Sequence, residues 1–573
     1  MNIPSPALVS QSAVRRMPRL VIILFCAAYV LPGFWGREPW KAADIVSFGV
    51  MLDMAQGHSS WWLPTLDGLP VTEPGLLAYW LGALFVQALP GLPAHWAARL
   101  PSVLLLCLTL LATWYASYHL ARQRGAQPVS FAFGGEAQPA DYARALADAA
   151  LLALLACLGL AQLSHETTPD LARLAAVAGL LCAAAWLAHA PRTGAASLAL
   201  WGLSLLGLLL SGAPWLTAVL GTGLGLLLYR HQPQTRASYA AAGLLLLVLL
   251  IGWAGWQMGL ISSPGTRGVP TPDWASWGRL LVWFTWPVWP LVLWTLWRWR
   301  RALGHVHVAL PLWVVLVAVV DSLLTTQRDR ALLLALPALA TLAAFALPTL
   351  RRSMAALIDW FTLLFFTVCG VVIWVIWLAM MTGVPAKPAA NVARLAPGYE
   401  PVFSMGLWLT AALATLAWLA LVAWRVGRHR NAIWKSLVLP AAGSVWCWLL
   451  LMTLWLPLLD HARSYGPTAR RLASWVPANS CVLTLGLSPA QTVGLRYHGG
   501  LRLLRVGTEV AAANQCQTLV VAPYAQASLG ERVNLSQWVL ATSVSRLNDK
   551  RESLLVYQRT GDRAPGTANS SGP

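Results

Sequence analysis

Long apolar runs separated by short polar stretches fill most of this chain. Runs long enough to cross a bilayer, about 20 residues, centre near residues 28, 108, 154, 180, 203, 221, 247, 287, 314, 339, 368, 414 and 446. The pattern predicts an all-α polytopic membrane domain of about thirteen transmembrane helices over residues 20–458, after a cytoplasmic N-terminus of residues 1–19. A shorter apolar stretch, Leu76 to Leu89, is bounded by Pro90 and Pro93 and reads as an interfacial helix. Between the first two runs lies a long outer loop, residues 36–97. There Ile45, Phe48, Val50, Met51 and Met54 recur at roughly helical spacing after Asp44, which predicts an amphipathic surface helix opened by Asp44. The pattern changes near Leu459. CVLTLGL, LRLLRV, QTLVVAP and ESLLVYQR read as strands, and the segments near Arg470 and Gln491 as helices. A small α/β domain over 459–560 follows, with a disordered Gly/Ser/Pro-rich end, 561–573.

Composition agrees with the pattern. Only 11% of 573 residues are charged and the mean hydropathy is +0.60, too little polarity to cover a soluble protein of this length. The net charge of +19 does not point to nucleic acid, because the basic residues sit in short clusters between apolar runs. With the N-terminus inside, eighteen Lys and Arg fall on the inner side and ten on the outer side before the tail. That bias sets the orientation, and an odd number of spans puts the tail outside. Arg15, Arg16 and Arg19 before the first apolar run resemble a signal peptide, but no small-residue cleavage pattern follows, so the run reads as an uncleaved first helix. Six of the eight Cys lie in apolar segments and pack as small hydrophobes; Cys481 and Cys516 lie in the outer tail and are a disulfide candidate. No Walker loop, dinucleotide glycine fingerprint or CxxC motif suggests nucleotide or redox chemistry.

Carboxylates gather on the outer side, eleven before the tail against four on the inner side. Three groups among the outer residues could carry chemistry. Asp44 suits a catalytic carboxylate, or it serves the dipole of the helix it opens. The short loop SHETTPD places His165, Glu166 and Asp170 within six residues, as a metal, phosphate or acceptor site or as a polar turn. The segment TTQRDR offers Arg328 and Arg330 as guanidinium partners of a phosphate, or forms a self-neutralising turn.

The order of an acidic residue, a helix, WWLPTLDGLPVTEPGLLAYWLGAL and HWAARLPSVLL resembles the bacterial aminoarabinose transferase and protein O-mannosyltransferase relatives of the GT-C superfamily. Trp61, Pro64, Leu66 and Gly68 match a W-x-x-P-x-L-x-G stretch, followed by Glu73, Tyr79 and Trp80. RDRALLLALPALATLAAFALP resembles the family's segment from a polar outer turn into a Leu/Pro-rich helix. Two departures stand out: Ala43-Asp44 replaces an Asp-Glu pair, and Glu73-Pro74-Gly75 replaces Glu-Lys-Pro. The resemblance implies a polyprenyl-phosphate-linked sugar donor, a lipid A, glycan or protein acceptor, and an active site facing the periplasm from a bacterial inner membrane. It further implies Asp44 as base or base-orienting carboxylate, with Asp170 and Glu166 as further catalytic candidates. Glu73, His165, Arg328, Arg330, Lys387 and Arg394 become substrate-binding candidates. A divalent cation, Mg or Mn, held by Asp44, Glu166 and Asp170 is the one cofactor to consider. A flippase or transporter of lipid-linked sugars, a glycan ligase or polymerase, and a noncatalytic scaffold are the competing readings.

Overall fold

The computed structural model describes residues 5–71, 75–189, 194–231, 236–259, 273–426, 432–477, 480–507, 516–546 and 549–560. It divides into two compact units. The first comprises residues 1–37, 50–377 and 403–455, and the second comprises 38–49, 378–402 and 456–573.

The first unit is helical. Each of the thirteen expected centres falls inside a helix, except residue 287, which lies at the break of a bent pair, Trp274–Phe284 and Val288–Arg298. Among the described residues eight helices are long and apolar enough to cross a membrane, or nine with the bent pair counted as one span. The expectation of about thirteen exceeds that number because several runs make shorter or more polar helices. Arg19–Phe34 and Gly194–Leu210 have 16 and 17 residues, and Pro139–Ala156 carries Asp141, Arg144 and Asp148. The bent pair turns through 91°. Pro287 supplies no amide hydrogen there, which opens the helical ladder. Carbonyls next to the break accept from a second broken helix end: the Leu158 amide donates to Trp286 O (3.1 Å) and the Gly159 amide to Phe284 O (2.9 Å). These two bonds join the two breaks to each other. Gly159 permits this approach, since a Cβ there would lie 2.4 Å from the Phe284 ring.

The loop after the first helix forms two further helices, Ala43–Ala55 and Leu76–Ala88, and a tight hairpin of β1 (Thr65–Leu66) and β2 (Leu69–Pro70). Ala43–Ala55 begins where the sequence predicts, but it is not an amphipathic surface helix. Asp44, Ile45, Ser47, Phe48, Val50, Met51 and Asp53 are all buried. Small residues make this possible: a Cβ on Gly49 would meet a Val493 methyl at 2.3 Å, so the apolar and the small side of the helix are both packed.

The second unit is built on a five-stranded sheet, order β4-β3-β5-β7-β6. β3 (Cys481–Leu485) pairs in parallel with β4 (Arg502–Arg505) and with β5 (Thr518–Val521). β7 (Asp549–Arg559) runs antiparallel to β5 and to β6 (Trp538–Arg546). Four of these strands lie at the expected segments; β6 is additional. Alternation divides the core: Leu483, Leu519 and Val521 pack on one face, Val482, Val520 and Val556 on the other. The helices Gly466–Ala473 and Pro489–Gly499 also lie where expected, the latter opened by a Ser488–Gln491 capping box. Cys481 and Cys516 are joined as a disulfide. The stretches 38–49 and 378–402 join this unit although they are remote from the tail in sequence.

Candidate functional site

In the first unit, the loop Ser164–Thr168 and the first turn of Pro169–His189 meet the helix Arg328–Leu333. Arg330 is the centre of the arrangement. Its two terminal nitrogens reach Glu166 Oε2 and Asp170 Oδ2, each at 2.6 Å, and Nη1 also donates to Thr168 Oγ1 at 3.2 Å. Asp170 Oδ1 accepts in addition from Arg173 (2.8 Å), whose Nε donates to Ser211 O (2.8 Å). Glu166, Asp170 and Arg330 are largely sheltered, with side-chain exposures of 7, 6 and 13%. Three candidates separated by up to 164 residues are thus brought into one clamp. A planar fork between two carboxylates ties the loop to the helix Arg328–Leu333. The donor set does not fit Mg or Mn: both carboxylates face a guanidinium, and among the described residues no three His, Cys, Asp or Glu are grouped to hold a metal ion.

His165 does not face this cluster's polar side. Its ring packs between Tyr29, Phe34 and Trp448, with Nε2 3.1 Å from Tyr29 O. Burial pushes its pKa down to about 3 against the opposing pull of the Ala161 carbonyl, and the Arg37 charge acts in the same direction as burial. Gly33 leaves it room, since a Cβ there would lie 2.1 Å from His165 Cδ2. The His165 carbonyl accepts from buried Arg37 (Nη2, 2.7 Å), and Arg99 donates to the Arg37 carbonyl. His165 is therefore a packing residue that ties the loop to the first helix, not an exposed ligand of substrate. Arg328, on the same helix as Arg330, has its Nη1 3.5 Å from Asp273 O.

The second unit contains a polar cavity of about 220 Å³. Glu38, Tyr399, Glu400, Asp460, His461 and Arg470 line it, with Pro457 and Pro467. Asp460 Oδ1 accepts from the Trp40 indole (2.6 Å) and from the Glu38 amide (3.3 Å). Arg463 stacks over the Trp40 ring at 5.2 Å. Glu38 Oε2 accepts from the Ser464 hydroxyl. Tyr399 meets His461 edge-on at 5.5 Å, and His461 Nε2 lies 3.3 Å from Pro397 O. His498 is near the same Ser464 hydroxyl (3.5 Å); burial lowers its pKa, the Glu38 charge opposes this and the Arg470 charge reinforces it. Asp44 lies behind this wall rather than in it. It is 1% exposed, and its Oδ2 accepts from the Trp40 amide at 3.1 Å. It holds Trp40, which holds Asp460.

Lys387 and Arg394 lie on the exposed helix Ala386–Leu395 of the same unit and do not line the cavity; Arg394 Nη2 is 3.3 Å from Asn391 Oδ1. Glu73 lies outside the described residues. Sequence reasoning did not single out Glu38, Tyr399, Glu400, Asp460, His461 or Arg470 as site residues. The local signal was a carboxylate directly after the first apolar run and another directly after the last one, Glu38 and Asp460. Nothing in the linear order joins two residues 422 apart.

Among the described residues the helices have the length and composition of a polytopic membrane protein. The fold resembles ArnT from Cupriavidus metallidurans bound to undecaprenyl phosphate, with a TM-score of 0.64 and 15% identity, over 96% of this chain and 100% of that one. The apo form of that ArnT gives 0.60 at 15% identity, over 94% and 98%. No protein-family model matches the sequence, and no curated protein matches it either.

Proposed function

We propose that the protein is a glycosyltransferase that moves a sugar from a polyprenyl-phosphate donor to an acceptor hydroxyl on the periplasmic side of a bacterial inner membrane. The observation that supports this reading is the likeness in fold to ArnT along nearly the whole of both chains. The 220 Å³ cavity supplies the chemistry such a transfer needs. A base must take the acceptor proton, and cations must receive the departing phosphate. Glu38 is the proposed base, because Asp460 is already committed to two donors while Glu38 engages Ser464 through Oε2. Arg470 and His461 are the proposed partners of the phosphate. The acceptor oxygen bonds to the anomeric carbon as the bond from that carbon to the phosphate oxygen breaks. The acceptor proton passes to Glu38, polyprenyl phosphate leaves, and a single displacement inverts the sugar. Asp44 is a positioning residue in this scheme, acting through Trp40 and Asp460. Glu166, Asp170 and Arg330 hold the loop behind His165. Lipid A, an envelope glycan and a protein are the acceptors under consideration.

The test is transfer of radiolabelled sugar from a panel of polyprenyl-phosphate donors into membranes containing the wild type or Glu38→Gln. Label transferred by the wild type and lost with Glu38→Gln supports the reading and its base. Label transferred by both keeps the class and removes Glu38 from the chemistry. Absence of transfer from every donor by a folded protein favours a flippase or scaffold.

A further inference from the structure

We propose a binding site for an anionic phospholipid at the arginine-rich end of the first unit. It goes beyond the transfer reaction and involves none of its residues. The 91° bend between Trp274–Phe284 and Val288–Arg298 leaves an apolar groove of about 240 Å³. Trp286, Leu291 and Trp294 line one wall, and Met354, Leu357 and Phe361 another. The groove lies among apolar helices of spanning length and opens outward: Leu357 is 60% exposed and Phe361 43%. A hydrocarbon chain is the occupant such a surface takes from a bilayer.

One end of the groove is charged. Arg298 follows the lining Trp294 by one helical turn, and Arg300 and Arg301 follow it after the buried Trp299. Arg351 follows the lining Leu350. The two backbone ends are locked side by side, since the Trp294 indole donates to Thr349 Oγ1 at 3.0 Å. All four arginines are exposed, and Arg298 and Arg300 flank the ring of Trp297 at 5.9 and 5.7 Å. Guanidinium groups that follow the lining residues Trp294 and Leu350 in the chain, beside an apolar groove, match a phosphodiester headgroup and its chain together. A neutral headgroup would match the groove and leave the rim uncompensated. In the orientation set by the basic clusters this rim faces the cytoplasmic leaflet, where anionic lipid is the attractive partner of arginine.

The experiment is native mass spectrometry of the full chain released from detergent, titrated with dioleoyl-phosphatidylglycerol or dioleoyl-phosphatidylcholine. The wild type should retain phosphatidylglycerol preferentially. Each Arg→Gln change among Arg298, Arg300, Arg301 and Arg351 should weaken it about fivefold, with phosphatidylcholine unaffected. Leu357→Trp, which fills the groove and keeps the rim, should also lose the anionic lipid. The proposal is overturned by equal retention of the two lipids. It is also overturned if the fourfold Gln variant, with an unchanged melting temperature, holds phosphatidylglycerol as the wild type does. Displacement of that lipid by undecaprenyl phosphate at equimolar concentration would assign the groove to a lipid carrier instead. Sugar transfer, measured on the same variants, should be unchanged and so is read separately.

Discussion

Arg330→Gln tests the clamp most directly. The guanidinium lies 2.6 Å from a carboxylate oxygen on each of Glu166 and Asp170, and the three side chains are at most 13% exposed. Two unit charges about 4 Å apart attract by roughly 4 kcal/mol at the effective dielectric of such sites. Much of that attraction offsets the cost of sheltering the charges, so the intact clamp stabilises the fold by less than the Coulomb sum. Breaking it is another matter, because the carboxylates stay sheltered while their partner is gone. Asp170 keeps Arg173 at 2.8 Å and Glu166 keeps the Gln162 amide at 3.4 Å, so each carboxylate loses its guanidinium partner Arg330 but not every donor. The expected loss is about 3–5 kcal/mol. Arg330→Lys keeps the charge but reaches one carboxylate at a time, and about half the loss is expected. The double variant Glu166→Gln/Arg330→Gln should recover about 1–3 kcal/mol relative to Arg330→Gln alone, since residues in one network couple. The assay is the apparent melting temperature of detergent-solubilised protein, followed by tryptophan fluorescence. If Arg330→Gln melts with the wild type and the double variant gains nothing, the clamp does not hold the loop.

Other outcomes follow from the same structure. Glu38→Gln keeps an oxygen for Ser464 but cannot take a proton, so it should lower transfer by about 10²–10⁴-fold with melting unchanged. Gly33→Ala forces a Cβ to within 2.1 Å of the His165 ring and should cost about 1–3 kcal/mol, seen as a lower melting temperature. Removing the Cys481–Cys516 bond, which closes a separation of 35 residues, should destabilise the second unit by about 4 kcal/mol on the chain-entropy estimate; thermal melts of Cys481→Ser/Cys516→Ser read this. His498 has a lowered pKa in the fold, so the unfolded chain binds the proton more readily. Its contribution to stability should therefore be lost as pH falls below about 6.5, the ordinary histidine value, and His498→Gln should reduce that acid sensitivity in a melting series against pH.

Apolar runs located the helices of the first unit, because a helix's apolar character is written locally, one helix length at a time; which of those helices are long enough to span was decided by where each helix begins and ends. The alternation in the tail located four of its five strands for a similar reason: each strand's two faces are written in successive residues. Glu166, Asp170 and Arg330 were legible as candidates, because charge near a span is costly and so conspicuous. Their mutual neutralisation was not legible, since it depends on two helix ends 164 residues apart meeting in space. Asp44 was identified as a carboxylate at a helix start, yet only packing showed that it faces the Trp40 amide rather than the cavity. The burial of Ala43–Ala55 likewise depended on Val493 filling the space over Gly49. The cavity itself, with Glu38, Glu400 and Asp460 drawn from three distant stretches, belongs wholly to tertiary structure. Hydrophobic periodicity reports which residues leave water, but the direction in which a polar side chain points is set by partners that the linear order does not name.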